Sequence, residues 1–151
     1  MKLEDAIKSN KFKSETHKAT LNVLYTAWWL KTLSANEMKV FGLTPEQYNV
    51  LRILKGKHPE KMCVKDIASR MMEKSSNVPR IIDRLFIKKL IKRTQSEMDG
   101  RHTLIELTDS GTAILDKATV KLDTIMQNAV TLSSQEAATL NLLLEKVRTK
   151  E

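Results

Sequence analysis

Between residues 75 and 102 the sequence gathers side chains suited to gripping a polyanion and reading its surface. Ser75, Ser76 and Asn77 lead to Arg80, Asp83 and Arg84, then to Lys88, Lys89, Lys92 and Arg93, and finally to Asp99, Gly100, Arg101 and His102. Serine and asparagine offer short donors and acceptors, an arginine fork matches a phosphate or a guanine edge, and lysine adds charge without fixed geometry. At about 100° per residue, Ser76, Arg80, Asp83 and Arg84 project nearly opposite Val78, Ile82 and Leu85 on a helix. One side is then core, and the other is free to meet a ligand.

Plainer roles exist for the same residues. Ser75, Ser76 and Asn77 suit a helix cap, a role compatible with ligand contact. Arg80 and Arg84 could be solvated charges paired with Asp83. Asp99 and Gly100 read as organisers of a loop tip, since a bare carboxylate facing phosphates would be repelled. Lys88, Lys89, Lys92 and Arg93 read as phosphate-facing or long-range charges that raise affinity without specifying sequence.

Overall charge agrees with that chemistry. Against 18 acidic residues stand 26 Lys and Arg, a net charge of +8 in 151 residues. Such a surface attracts nucleic acid first and anionic membrane second, and charge alone does not separate them. Catalysis finds no footing: the sequence has no Gly-rich phosphate loop, HExxH, GxSxG or CxxC. His17, His58, His102 and Cys63 are scattered with no pair at ligand spacing, so neither metal nor cofactor is expected. The single cysteine excludes an internal disulfide and fits a reducing compartment. The opening MKLEDAIKSN is no signal peptide, and no apolar run approaches the ~18 residues of a membrane span, so a cytoplasmic location without membrane partners is expected.

The elements that must carry these residues are mostly helical. With only 4 Gly and 3 Pro, long helices are favoured over a turn-rich sheet design. From Lys18 to about Val40, Leu21, Leu24, Trp28 and Ala35 recur at helical spacing, and Gly42 reads as the stop. In LTPEQYNVLRIL, Thr44 caps, Pro45 suits the first helical position and Gln47 completes a capping box, with Tyr48, Leu51 and Leu54 on one face and Gly56 ending the run. Val64, Ile67, Ala68 and Met71 mark a short helix, and Val78, Ile81, Ile82, Leu85 and Leu90 a second one a few residues later, the outline of a helix-turn-helix. IKRTQSEMDGRHTLIEL reads as a hairpin turning at Asp99-Gly100. Thr108 caps a long helix to about Val130, and Ser133 with Glu136 opens the last one.

The order of these elements resembles the MarR family of winged helix-turn-helix transcriptional regulators over essentially the whole chain. LTPEQYNVLRIL looks like the family's second helix, SSNVPRIIDRLFIKKLIKR like its recognition helix running into the wing, and DGRHTLIELTDSG like its wing signature of D-x-R followed by L-T-x-x-G. The resemblance implies a mostly α fold with a small β-hairpin wing in one domain spanning 1–151. Its DNA-binding region lies at approximately 44–108, and dimerisation helices at approximately 1–40 and 109–151. It further implies a homodimer that binds double-stranded DNA, with Ser75, Ser76, Asn77, Arg80 and Arg84 in the major groove. Arg93, Arg101 and His102 belong to the wing, where the family's arginine enters the minor groove. A repressor on a pseudo-palindromic operator follows, with a winged-helix protein-assembly module as the competing reading.

Effector chemistry enters only through that resemblance. Members commonly respond to a small, often phenolic molecule, and His17, Trp28 and Tyr48 would line its pocket, though core packing explains each as well. Adjacent Trp28 and Trp29 point about 100° apart, so both cannot face one small core. Cys63 reads as a small packing residue rather than a redox sensor. Pro79 stands where the family often has a hydroxyl residue, and Ile87 interrupts the polar face of the recognition helix.

Overall fold

A computed structural model of the chain describes residues 1–96 and 102–148. In order, it contains α1 (Leu3–Ile7), α2 (Glu15–Val40), α3 (Pro45–Lys57), β1 (Met62–Cys63), α4 (Val64–Arg70), α5 (Val78–Ile87), β2 (Ile91–Gln95), β3 (Thr103–Leu107), α6 (Asp109–Ala129) and α7 (Ser134–Val147). The mostly helical architecture with a hairpin wing follows the sequence expectation. The strands form an antiparallel sheet in the order β1-β3-β2. The two-residue β1 is new: Met62 pairs with Ile105 and Cys63 with Leu104. A pair of residues is too short to show the alternation by which strands are recognised.

Local capping sets most helix ends. Ser14 accepts a hydrogen bond from the His17 N–H at 3.1 Å, so α2 begins three residues earlier than its apolar pattern indicates. It stops before Gly42, whose φ of +65° is the left-handed turn that glycine adopts without a Cβ penalty. The Thr44–Gln47 capping box and Pro45 open α3 as expected, and the helix runs one residue past Gly56 to Lys57. The short α1 has no counterpart in the periodicity. It folds back so that Leu3 is buried and Glu4 meets Lys18 at 2.5 Å.

A continuous core joins the helix-turn-helix to its supports. Leu51 and Leu54 of α3, Ile67 of α4, Ile82 and Leu85 of α5, Ile91 and Ile105 of the sheet and Leu115 of α6 belong to it. Gln47 is the one buried polar side chain among the described residues. Its Oε1 accepts from the Thr44 N–H at 3.3 Å and from Lys88 Nζ at 3.0 Å, and Lys88 also donates to the Gly42 carbonyl. The end of α5 is thereby fastened to the α2–α3 corner. Gln47→Leu, of similar volume, strands the Thr44 N–H and removes one Lys88 acceptor; the expected loss is about 2 kcal/mol in urea unfolding. A loss below about 0.5 kcal/mol contradicts this role.

The terminal helices leave much apolar surface uncovered. No residue of α7 is buried, and Leu140, Leu142, Leu143 and Val147 are exposed. On α2, Trp28 is 58% and Trp29 38% exposed, so neither belongs to the core of this chain. Trp28 instead lies against Tyr25, with ring centroids 5.5 Å apart. Ser133 and Glu136 form the expected capping box of α7. The Ser133 backbone N–H and hydroxyl hold the Glu136 carboxyl below the usual carboxylate range. That contribution is present above the carboxyl's unfolded pKa and fades as pH falls through the folded one.

Candidate nucleic-acid interface

The α5 helix divides as its sequence pattern requires. Val78, Ile82 and Leu85 are buried, while Arg80, Asp83 and Arg84 are exposed. Asn77 caps the helix through its side-chain oxygen, which accepts from the Arg80 N–H at 3.2 Å. Pro79 sits in the first turn, where a missing N–H costs no intrahelical bond, so it neither delays nor bends the start. Ser75 is exposed, and the Ser76 Oγ is enclosed without a hydrogen-bond partner among the described residues.

Neither Arg80 nor Arg84 forms an ion pair among the described residues. Asp83, the partner available to them in sequence, is taken by Arg93 of β2. The Arg93 guanidinium also lies 4.8 Å from the centre of the Phe86 ring. A side chain expected to face phosphate is therefore a brace between the recognition helix and the hairpin. Lys88, though exposed, is likewise engaged within the chain, on Gly42 and Gln47. Lys92 remains exposed on β2. Lys89 adopts a left-handed φ of 60° and ends the α5 turn.

On its other flank α5 faces the start of α3 across a crevice of about 300 Å³, lined in part by Glu46, Gln47, Asn77, Arg80, Ile81 and Arg84. The open face of the helix thus lies between α3 on one side and the Arg93 brace on the other. At the wing, His102 is exposed and its carbonyl accepts from the Ser96 N–H at 2.9 Å. Arg101, Asp99 and Gly100 lie outside the described residues.

The base of the wing is fixed by the stretch Leu107-Thr108-Asp109-Ser110-Gly111. Thr108 Oγ1 accepts from the Gly111 N–H at 2.9 Å and donates to the Lys89 carbonyl at 2.8 Å, and the Thr108 N–H donates to the Leu90 carbonyl at 3.1 Å. One threonine thereby ties the end of α5, the end of β3 and the start of α6.

A larger cavity of about 620 Å³ lies behind the interface, among α2, α3, α6 and the α4–α5 turn. Leu30, Tyr48, Arg52, Met71, Leu122 and Met126 are among its lining. Of the three residues expected to line a pocket, only Tyr48 does so, and its hydroxyl shares a hydrogen bond with Thr119 Oγ1 at 3.0 Å. Trp28 points elsewhere on α2, and His17 accepts the Lys13 N–H on Nδ1 at 3.2 Å near the helix start. Sequence reasoning misses Lys31 and Glu73, which meet at 2.7 Å beside the cavity although 42 residues apart. That hydrogen bond lowers the Glu73 carboxyl and raises the Lys31 ammonium from their ordinary values. No local pattern announces a pair that only the fold brings together.

Known proteins carry the same arrangement. The family model for the transcriptional regulator SarA/Rot matches residues 32–118. The HTH-type transcriptional regulator MgrA of Staphylococcus aureus is 34% identical over 109 residues, covering 72% of this chain and 72% of MgrA. With the uncharacterised HTH-type regulator YkoM of Bacillus subtilis the identity is also 34%, over 84 residues and 56% of this chain, and the match spans about half (53%) of YkoM. Among solved structures, a MarR transcription factor from Planctomyces limnophilus is 30% identical with a TM-score of 0.69, over 89% of this chain and 98% of that one. The S. aureus MepR–DNA complex superimposes with a TM-score of 0.78 at 24% identity, over 93% of this chain and all (100%) of MepR, a likeness of fold.

Proposed function

This chain belongs to the SarA/Rot family of transcriptional regulators and has the winged-helix fold of MarR proteins, and from that premise we propose that it is a homodimeric, sequence-specific DNA-binding repressor. Two α5 helices enter successive major grooves of a pseudo-palindromic operator about 34 Å apart, with the wings in the flanking minor grooves. The observation that carries this reading is the open face of α5, where Arg80 and Arg84 are exposed and form no ion pair among the described residues. The positive end of the helix, beginning at Ser75, Ser76 and Asn77, adds attraction for phosphate. MepR, which shares the fold, is described in complex with DNA.

Within this proposal the wing residues Arg101 and His102 meet the minor groove, Asp99 and Gly100 organise its tip, and Arg93 acts by holding the wing against α5. Bound across a promoter, the dimer blocks polymerase, and a small molecule entering the 620 Å³ cavity beside Tyr48 relieves it. The rival reading, a winged-helix module for protein assembly, predicts an apolar recognition helix rather than two exposed arginines.

Purified protein mixed with total genomic fragments tests the proposal: discrete fragments are expected to shift and to yield a two-fold symmetric footprint. Uniform retention of all fragments at low salt, vanishing as salt rises, would instead show a basic protein without an operator. The dimer is supported by the exposed apolar faces of α2 and α7. Leu143→Glu places a carboxylate in that face twice per dimer, and the expected result is at least a 100-fold weaker self-association in sedimentation. If that variant and the wild type dissociate over the same range of concentration, α7 is not the interface.

A further inference from the structure

Two side chains of α5, one near each end, project along the same line of its open face. Arg80 and Ile87 are seven residues apart, hence within about 20° of one another around the helix, and both lie opposite the buried Val78, Ile82 and Leu85. Asp83 and Phe86 beside them are engaged by Arg93 of the wing, while Ile81, Arg84 and Arg80 itself border the crevice against α3, which leaves Ile87 in contact with neither flank. Ile87, the last residue of α5, is 76% exposed, an aliphatic side chain that the fold leaves in water at the C-terminal end of a cationic face.

We propose that Ile87 is a specificity-determining residue that reads the C5-methyl group of a thymine in the major groove, while Arg80, about 10.5 Å away along the same line, meets a separate base edge or phosphate. This rests on the DNA-binding reading above. The chemistry follows from what the major groove offers: hydrogen-bonding edges that isoleucine cannot use, and one apolar group, the thymine methyl. Arginine on the same line supplies the charge that draws this face to a duplex, so the aliphatic group is desolvated there without a protein partner. A polar residue at position 87 would remain hydrated and would not separate thymine from cytosine by its methyl.

Deoxyuridine provides the test, because it keeps every hydrogen-bonding group of thymine and removes only the methyl. In a footprinted operator, each thymine is replaced in turn, with its symmetry mate, and affinity is measured for wild type, Ile87→Ala and Ile87→Val. At one symmetric position the wild type is expected to lose about three- to tenfold for the pair of methyls. Ile87→Ala should bind the thymine operator more weakly by a similar factor and be indifferent to the uracil at that position, and Ile87→Val should keep part of the discrimination. Ile87 is exposed, so both variants are expected to unfold at the wild-type temperature. If every uracil position affects wild type and Ile87→Ala alike, the assignment is overturned while the regulator reading stands. Failure of the wild type to footprint any fragment overturns both.

Discussion

Gly111→Ala is expected to cost about 3 kcal/mol of stability or more, lowering Tm by roughly 10 °C, although it adds a single methyl group. A Cβ at this position would lie 2.0 Å from the Leu90 carbonyl oxygen, 3.0 Å from its carbon and 3.3 Å from Leu107 Cδ2. The obstruction is backbone, so no rotamer change relieves it. The Leu90 carbonyl also accepts the Thr108 N–H, and Thr108 Oγ1 accepts the Gly111 N–H, so moving either group away loosens the joint between α5, the wing and α6. Gly56→Ala is the control: nothing lies within 4 Å of its added Cβ, and replacing a helical glycine should raise stability by about 0.5–1 kcal/mol. Equal unfolding midpoints for the two variants would show that the close approach at Gly111 is not a constraint. Partial rescue of DNA affinity by lower temperature is expected for Gly111→Ala, since the recognition surface itself is unchanged.

The second large effect concerns binding and leaves stability alone. Arg80→Ala combined with Arg84→Ala should weaken operator binding by roughly 30-fold or more for each subunit, at about 1–3 kcal/mol for each guanidinium that meets a base or phosphate. Both side chains are exposed and form no ion pair among the described residues, so their removal strands no buried partner there, and urea unfolding should be unchanged. Salt titration separates their roles. If both arginines face phosphates, the slope of log K against log salt becomes shallower by about two per subunit, and all sequences suffer equally. If either reads a guanine, the slope changes less and discrimination at that base pair is lost. A double variant that binds within twofold of wild type across the titration would refute the assignment of this face to DNA.

The extent to which sequence sufficed depends on how local each constraint is. Thr44, Pro45 and Gln47 announce the start of α3 because a capping box closes within four residues, and Ser133 with Glu136 does the same for α7. Val78, Ile82 and Leu85 identify the buried side of α5 because helical period alone puts them together, and the arginine face follows by subtraction. The signature around Thr108 and Gly111 is visible as a motif, yet its cause is the Leu90 carbonyl, which lies on another element. For β1 there was nothing to see, since its two residues are strand only by pairing with β3.

What the chain settled by itself, then, was the helices from α2 to α7, the polarity of each and the excess of cations on the recognition segment, all consequences of periodicity and capping within a few residues. Tertiary structure decided which of those cations remain available. It turned Arg93 inward onto Asp83 and Phe86, spent Lys88 on Gly42 and Gln47, and left Arg80, Arg84 and Ile87 facing out. It likewise brought Lys31 to Glu73 and left Trp28 outside the cavity. The physical reason is range: a cap or an amphipathic stripe is written in adjacent residues, whereas the partner of a long charged side chain is whatever distant element packing sets beside it.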